Sequence, residues 1–276
     1  MVSNALVALS ICSELKGEPL LNLNENMVQK LLTAMNDCNE WGVVYILDTL
    51  TNYLPKDPGE TENIMERVSS RLAHTNSAVA LSSIRLIIRY MDYLSSGDSI
   101  RTYNNKISAP LITMISRDNE VSYLVLKTIN LVLQKRPLLL PKELKIFFVN
   151  YHDPLYVKLE KLDVLAKIAN NENILMILHE LKEYTHEVDV EFVRKTVNTM
   201  GKCAIKLEKM ADKCVQCLWD TLKTRVPYVV QEAVIVIRDI FRKYPNKYEG
   251  LLTDICENLN NLDDPEAKAS IVWIIG

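Results

Sequence analysis

The chain has 276 residues, of which 48% are hydrophobic, and its 32 basic and 35 acidic side chains leave a formal charge of −3. A charge that small, spread along the whole chain, does not hold nucleic acid by phosphate neutralisation. Only 7 glycines occur, none closer than 17 residues to the next, which excludes glycine-rich phosphate loops and dinucleotide fingerprints.

The length allows one or two domains with a sizeable core. Leu, Ile, Lys and Glu recur at helical spacing and Asn-Gly or Asp-Gly hairpin signals are absent, so an almost wholly helical chain is expected. No charge-free apolar run approaches the roughly 18 residues that cross a bilayer. The opening "MVSNALVALSICSELKGE" lacks the basic region and cleavage site of a secretory signal. Cys12, Cys38, Cys203, Cys214, Cys217 and Cys256 fall at irregular spacings among apolar residues and read as buried thiols of a cytosolic protein.

Taken in chain order, the segments repeat one plan: a polar turn ending in Asp, Asn or Pro, then helical turns with β-branched and leucine residues on one face. "ENMVQKLLTAMNDC" is followed by "NEWGVVYILDTLTNYLP", and "ETENIMERVSSRLA" by "NSAVALSSIRLIIRYM". "DNEVSYLVLKTINLVLQKRP" comes next, then "PKELKIFFVN" with "DPLYVKLEKLDVLAKIA", and "ENILMILHELKEY" with "DVEFVRKTVNTMGKCAIKLE". "VPYVVQEAVIVIRDIFRKYP", "PNKYEGLLTDICENL" and "DPEAKASIVWIIG" complete the series. The anchors of the second, inner (B) helices lie near 39, 76, 118, 153, 189, 226 and 264, with gaps of 37, 42, 35, 36, 37 and 38. That period implies an all-α, right-handed α-α superhelix, a HEAT/armadillo-like solenoid of about fifteen helices. The Asp-Pro pairs at 153 and 264 suit a helix start, with proline at the first helical position and the Asp side chain as cap. Pro55, Pro137 and Pro245 each stop a B helix.

Candidates for chemistry are few. His152-Asp153 has the residues of a catalytic pair but no accompanying nucleophile motif, and it reads as a turn. Asp153 and Lys158 share an offset of five with Asp189 and Arg194, the pattern of turns and an acid-base ladder linking adjacent repeats. "CVQC" at 214–217 lacks the second ligand pair that zinc requires, and its thiols fall on one apolar helical face. His74, His152, His179 and His186 are scattered, with His179 and His186 seven apart rather than four. The densest basic cluster, Arg238, Arg242, Lys243 and Lys247, has interleaved aromatics. It is a candidate contact for an acidic partner or lipid headgroup, although a solvated helix end explains much of it. No catalytic, metal or cofactor residue is assigned, and no enzyme is expected.

"CNEWGVVYILDTLTNYLPKD", "FFVNYHDPLYVKLEKLDVL", "HELKEYTHEVDVEFVRKTVNTMGKCAIKLE" and "VVQEAVIVIRDIFRKYPNKYE" resemble the trunk of beta-adaptin, a large subunit of the heterotetrameric clathrin adaptor complexes. The resemblance covers essentially the whole chain, which is expected to be a single solenoid fragment, residues 1–276, from the middle of a longer trunk. It implies a curved scaffold that cups the N-terminal domain of the medium (mu) subunit and packs against the other large subunit, with the small (sigma) subunit completing the complex. It further implies clathrin binding through a hinge outside these residues, membrane contact only as part of the complex, and no nucleic acid. The location implied is cytoplasmic and peripheral, on trans-Golgi or endosomal membranes or plasma-membrane coated pits. "LLNLN" at 20–24 is similar to the leucine motif by which adaptor hinges bind clathrin, but it ends in Asn24 instead of a carboxylate and reads as a connection. The alternative is a generic scaffold such as a nuclear-transport or phosphatase-scaffold solenoid. The Trp-Asn arrays of import receptors are missing, because Trp41 and Trp219 have Tyr45 and Lys223 four residues on, and Trp273 has no such position.

Overall fold

The structure is a computed structural model and describes residues 2–17, 21, 23–135, 144–223, 226–245, 247–248, 250 and 264–275. These residues form thirteen α-helices and three short 3₁₀ turns, with no strand among them. The fold is all-α, of the helical-solenoid class.

The helices begin where short polar side chains replace missing backbone partners. Asn24 accepts the Met27 N–H ahead of α2 (Glu25–Ala34), and Asn39 accepts the Gly42 N–H ahead of α3 (Glu40–Thr51). Asn76 accepts the Ala78 N–H at the start of α5 (Ser77–Tyr90). Asp189 does the same for Phe192 in α10 (Val190–Lys206), and Asp264 for Ala267 in α13 (Pro265–Ile275). α4 (Pro58–Ser69) and α12 (Pro227–Lys243) start with proline, which needs no N–H there.

Two compact units divide the chain, residues 1–128 and 129–276, and the boundary falls within α7 (Asn119–Lys135). In the first, α1 (Val2–Lys16), α3 and α5 pack side by side in that order, with α2 against α3, and α4 and α6 (Gly97–Ile115) against α5. In the second, α8 (Leu155–Ile168), α10, α12 and α13 form the row, while α9 (Ile174–Tyr184) and α11 (Ala211–Leu222) cover its other face. Each row is held by a wide apolar stripe. α5 buries Val79, Ala80, Ile84, Leu86, Ile87 and Tyr90, and α10 buries Phe192, Val193, Val197, Met200, Cys203 and Ala204. Buried hydroxyls on these faces are satisfied within their own helix, Ser83 by the Val79 carbonyl and Thr196 by the Phe192 carbonyl.

One expected outer helix differs. Within "PKELKIFFVN" the described residues form only a 3₁₀ turn, Leu144–Phe147, burying Leu144 and Phe147 three positions apart. The polar groups that would continue a helix go elsewhere: the Val149 N–H to the Tyr184 hydroxyl, the Asn150 N–H to Asp153, and the Phe148 carbonyl to Lys161. Most of "PNKYEGLLTDICENL", together with Pro137, lies outside the described residues.

Helices α10 and α12 approach closely at Gly201. A Cβ on Gly201 would fall 2.1 Å from Val236 Cγ1 and 3.3 Å from its Cβ. Gly201→Ala would gain about 1 kcal/mol in helix propensity, but overpacking costs about 1–3 kcal/mol. Thermal unfolding should show a lower Tm for Gly201→Ala, and Val236→Ala in the same chain should recover part of the loss. An unchanged or higher Tm for the single variant contradicts this packing.

Candidate functional site

The corner between the 3₁₀ turn and α8 is built from Asn150, His152 and Asp153. His152 is exposed and touches Tyr151 edge-on, at 5.4 Å between ring centroids. The Asp153 carboxylate turns away from it, accepting the Asn150 N–H at 2.8 Å and the Lys161 ammonium at 2.6 Å. The expected cap at Asp153 is therefore not formed. Pro154 is extended at ψ 155° and takes the N-cap position itself, so the helix starts one residue later and leaves the carboxylate to the loop. The same dipeptide at 264–265 does cap, because there proline is the first helical residue.

Lys161 is only 4% exposed in its side chain and also donates to the Phe148 carbonyl at 3.2 Å. It lies one helical turn from Val157 and from Leu165, inside the apolar stripe, which is the signal by which sequence could have singled it out. A buried cation needs its partner, since removing either one leaves the other desolvated.

The four residues of the expected ladder take different partners. Asp153 meets Lys161 of α8, and Asp189 caps α10. Lys158 instead reaches Glu187 at 3.8 Å, in the turn before α10, and lies 5.2 Å from the Phe192 ring centroid. Arg194 donates to Gln231 of α12 at 3.3 Å. Side chains starting at equivalent repeat positions stand side by side, so such rungs join residues about one repeat apart.

Such rungs recur through both units. In the first, Arg67 donates to Gln29, Asn76 to Glu40, Ser99 to Glu62 and Arg117 to the Thr75 carbonyl. In the second, Lys182 pairs with Asp220 at 2.9 Å, and Asp163 receives Lys195 at 2.9 Å and Lys202 at 3.3 Å. A second set closes helix ends: Tyr90 donates to the Leu50 carbonyl, Lys167 to that of Asn130, Lys206 to those of Ala166 and Lys167, and Tyr244 to that of Ala204. Apart from the Asn130 carbonyl, which lies inside α7, these acceptors belong to the last turn of a helix. Burial pushes the Tyr90 hydroxyl well up, so it stays protonated and donates.

The basic cluster is largely occupied within the chain. Arg238 pairs with Asp239 at 3.1 Å and donates to Ser270 of α13 at 3.0 Å. Arg242 pairs with the same Asp239 at 3.6 Å and lies 4.6 Å from the Trp273 ring centroid. Lys247 pairs with Asp212 at 2.9 Å and stands near the Tyr244 and Tyr248 rings. Lys243 is exposed.

Burial pushes the thiols of Cys203 and Cys214 up to about 12, so both stay protonated and unreactive near neutrality. Cys217 is half-buried with its thiol also pushed up by burial, Cys12 is exposed against expectation, and Cys256 lies outside the described residues. No cluster of three His, Cys, Asp or Glu suited to a metal occurs among the described residues. The clefts there are open and charged, such as one of about 310 Å³ lined by Leu159, Glu191, Arg194, Lys195, Asn198 and Glu232. No described helix is long and apolar enough to cross a membrane. What the arrangement offers is extended surface on stacked helices.

Comparison with known proteins agrees with that architecture. The Adaptin N terminal region family matches residues 1–276, and the chain belongs to that family. It is 52% identical over 278 residues to the AP-1 complex subunit beta-1 of Mus musculus and 49% identical over 276 residues to the AP-1 complex subunit beta of Dictyostelium discoideum. These alignments cover all of this chain but only 30% and 29% of those relatives. The AP-2 complex subunit beta of Schizosaccharomyces pombe is 40% identical over 277 residues, covering the whole chain and 41% of that protein. A chain from a homology model of the full-length AP-3 complex in an intermediate open conformation shares the fold. Its TM-score is 0.70 at 16% identity, over 90% of this chain and 46% of that one. The beta-adaptin resemblance is upheld, and the generic scaffold alternative gains no relative among these.

Two outcomes test the charged contacts. Lys161→Met should cost about 3 kcal/mol in urea unfolding by stranding Asp153, and adding Asp153→Asn should recover part of it. A loss below experimental error would contradict the buried pair. Burial raises the Asp163 pKa, but hydrogen bonds and charge from Lys195 and Lys202 outweigh that and hold it below its ordinary value. Its contribution is therefore complete above the unfolded value of about 3.9 and is lost as pH falls through the lower folded value. Asp163→Asn should lower Tm at neutral pH, with the deficit shrinking in acid; a deficit independent of pH refutes the rung.

Proposed function

We propose that this chain is trunk from the beta large subunit of a clathrin adaptor complex, a non-enzymatic scaffold in vesicle-mediated intracellular protein transport. The carrying observation is the 52% identity to an AP-1 beta subunit along the entire chain. Solenoids gain partners through extended surface rather than closed pockets, and the open, charged clefts of this chain fit that use.

On this reading the longer trunk holds the medium subunit and the second large subunit, with the small subunit completing the complex for cargo sorting. Clathrin is engaged through a hinge outside these residues, and membrane only by the assembled complex. The location is cytoplasmic and peripheral, on trans-Golgi, endosomal or plasma-membrane coats. Residues 1–276 form part of one continuous solenoid in that trunk, with Lys243 as the member of the basic cluster best placed to meet an acidic partner.

Co-expression tests the assignment. The chain, and in parallel the complete trunk, should co-purify with the N-terminal domain of a medium subunit. Absence of the medium subunit from the purified complete trunk would reject the adaptor reading.

A further inference from the structure

One repeat position in the first unit is apolar and exposed three times over. Leu15, Leu54 and Tyr93 are 82%, 58% and 39% exposed and stand at the ends of α1, α3 and α5. Their numbers differ by 39 at each step. The same step relates Ser3 to Gly42, whose added Cβ would meet the Ser3 Cβ at 3.0 Å, so α1 and α3 run in register at that spacing, while Leu54 and Tyr93 each stand three residues past the end of their helix. At the far ends of the helices, the Tyr90 hydroxyl on the Leu50 carbonyl fixes α5 against α3. The three side chains therefore form one row along the edge of the unit.

Each apolar residue has an exposed cation close by: Lys16 beside Leu15, Lys56 two residues past Leu54, and Arg89 one helical turn before Tyr93. None of the three is paired among the described residues. Of the nearby acids, Asp57 stands at the N-cap of α4 and Asp92 is engaged within the chain. The second unit does not repeat the pattern, since the positions that the equivalent Lys206 and Tyr244 contacts align with Leu54 and Tyr93 carry Asn170, Lys209 and Lys247. Solvent alone gives no reason to keep apolar residues at this position in one unit and polar ones in the other.

Packed helices lie about 10 Å apart, and seven residues of an α-helix rise about 10.5 Å. A helix laid across the row would thus meet it with every seventh side chain. We propose that Leu15, Leu54 and Tyr93, with Lys16, Lys56 and Arg89, dock an amphipathic helix of a partner protein, apolar at that interval and acidic on its flanks. This surface is independent of the adaptor assignment and of medium-subunit binding.

The test uses the full chain and a fluorescein-labelled helical peptide of about 18 residues, long enough to reach all three positions. The peptide carries leucine at every seventh position and glutamate on the flanks, and binding is read by anisotropy. Saturable binding is expected. Leu15→Ser, Leu54→Ser and Tyr93→Ser combined should weaken it about tenfold or more, as expected for central apolar anchors. Lys16→Glu, Lys56→Glu and Arg89→Glu combined should weaken it too, and a lysine-flanked peptide should bind less well. Circular dichroism melts should show both variants folded as the parent. Equal binding by parent and serine variant overturns the proposal. So does a result in which the row is needed for flotation with phosphatidylcholine–phosphatidylserine vesicles, or for dimerisation in sedimentation, while the peptide does not bind.

Discussion

The packing of each inner helix against its counterpart one repeat away is the constraint on which the rest of the structure depends. A single helix pair of this length exposes too much of its apolar stripe to be stable alone. α5 buries its stripe by lying among α3, α4 and α6, and α10 by lying among α8, α9, α11 and α12. Apolar packing supplies the drive without specifying register. Register comes from the rungs, in which Tyr90, Lys206 and Tyr244 each find a carbonyl about 40 residues earlier. Gly201 then sets how closely two inner helices approach, because Val236 occupies the space of its missing side chain.

This construction determines what the surface can do. Charges spent on contacts within the chain are not free for a partner, and three of the four residues in the densest basic cluster are paired in that way. Residues that serve no rung stand out by contrast. Leu15, Leu54 and Tyr93 are apolar and exposed, and the cations near them are unpaired among the described residues. A scaffold of this class recognises partners through rows of equivalent positions, and that row is one in which the repeat itself provides the spacing.

The adaptor assignment and the physical reading meet at the corner before α8. Its string, from Tyr151 into "VKLEKLDVL", is part of what resembles beta-adaptin, and its histidine and aspartate suggest chemistry. The structure gives Asp153 to a buried lysine and leaves His152 at the surface. The corner is a fastening that ties the 3₁₀ turn to α8, with Tyr184 of α9 securing Val149 beside it.

The sequence by itself determined the helical class, the period, the cap at Asp264 and the family, because these depend on local chemistry and spacing. It also contained the lysine in the apolar stripe of α8, though not its partner. Only tertiary structure decided that Asp153 pairs with Lys161, that Lys158 reaches Glu187, and that Arg242 lies over the Trp273 ring. Those partners lie on different helices or turns, or become close only when a turn takes one of several allowed paths. A one-residue difference in where proline enters the helix was enough to make Asp264 a cap and Asp153 an ion-pair partner. Periodicity states which face is buried; which charge meets which depends on the register in which those faces lock.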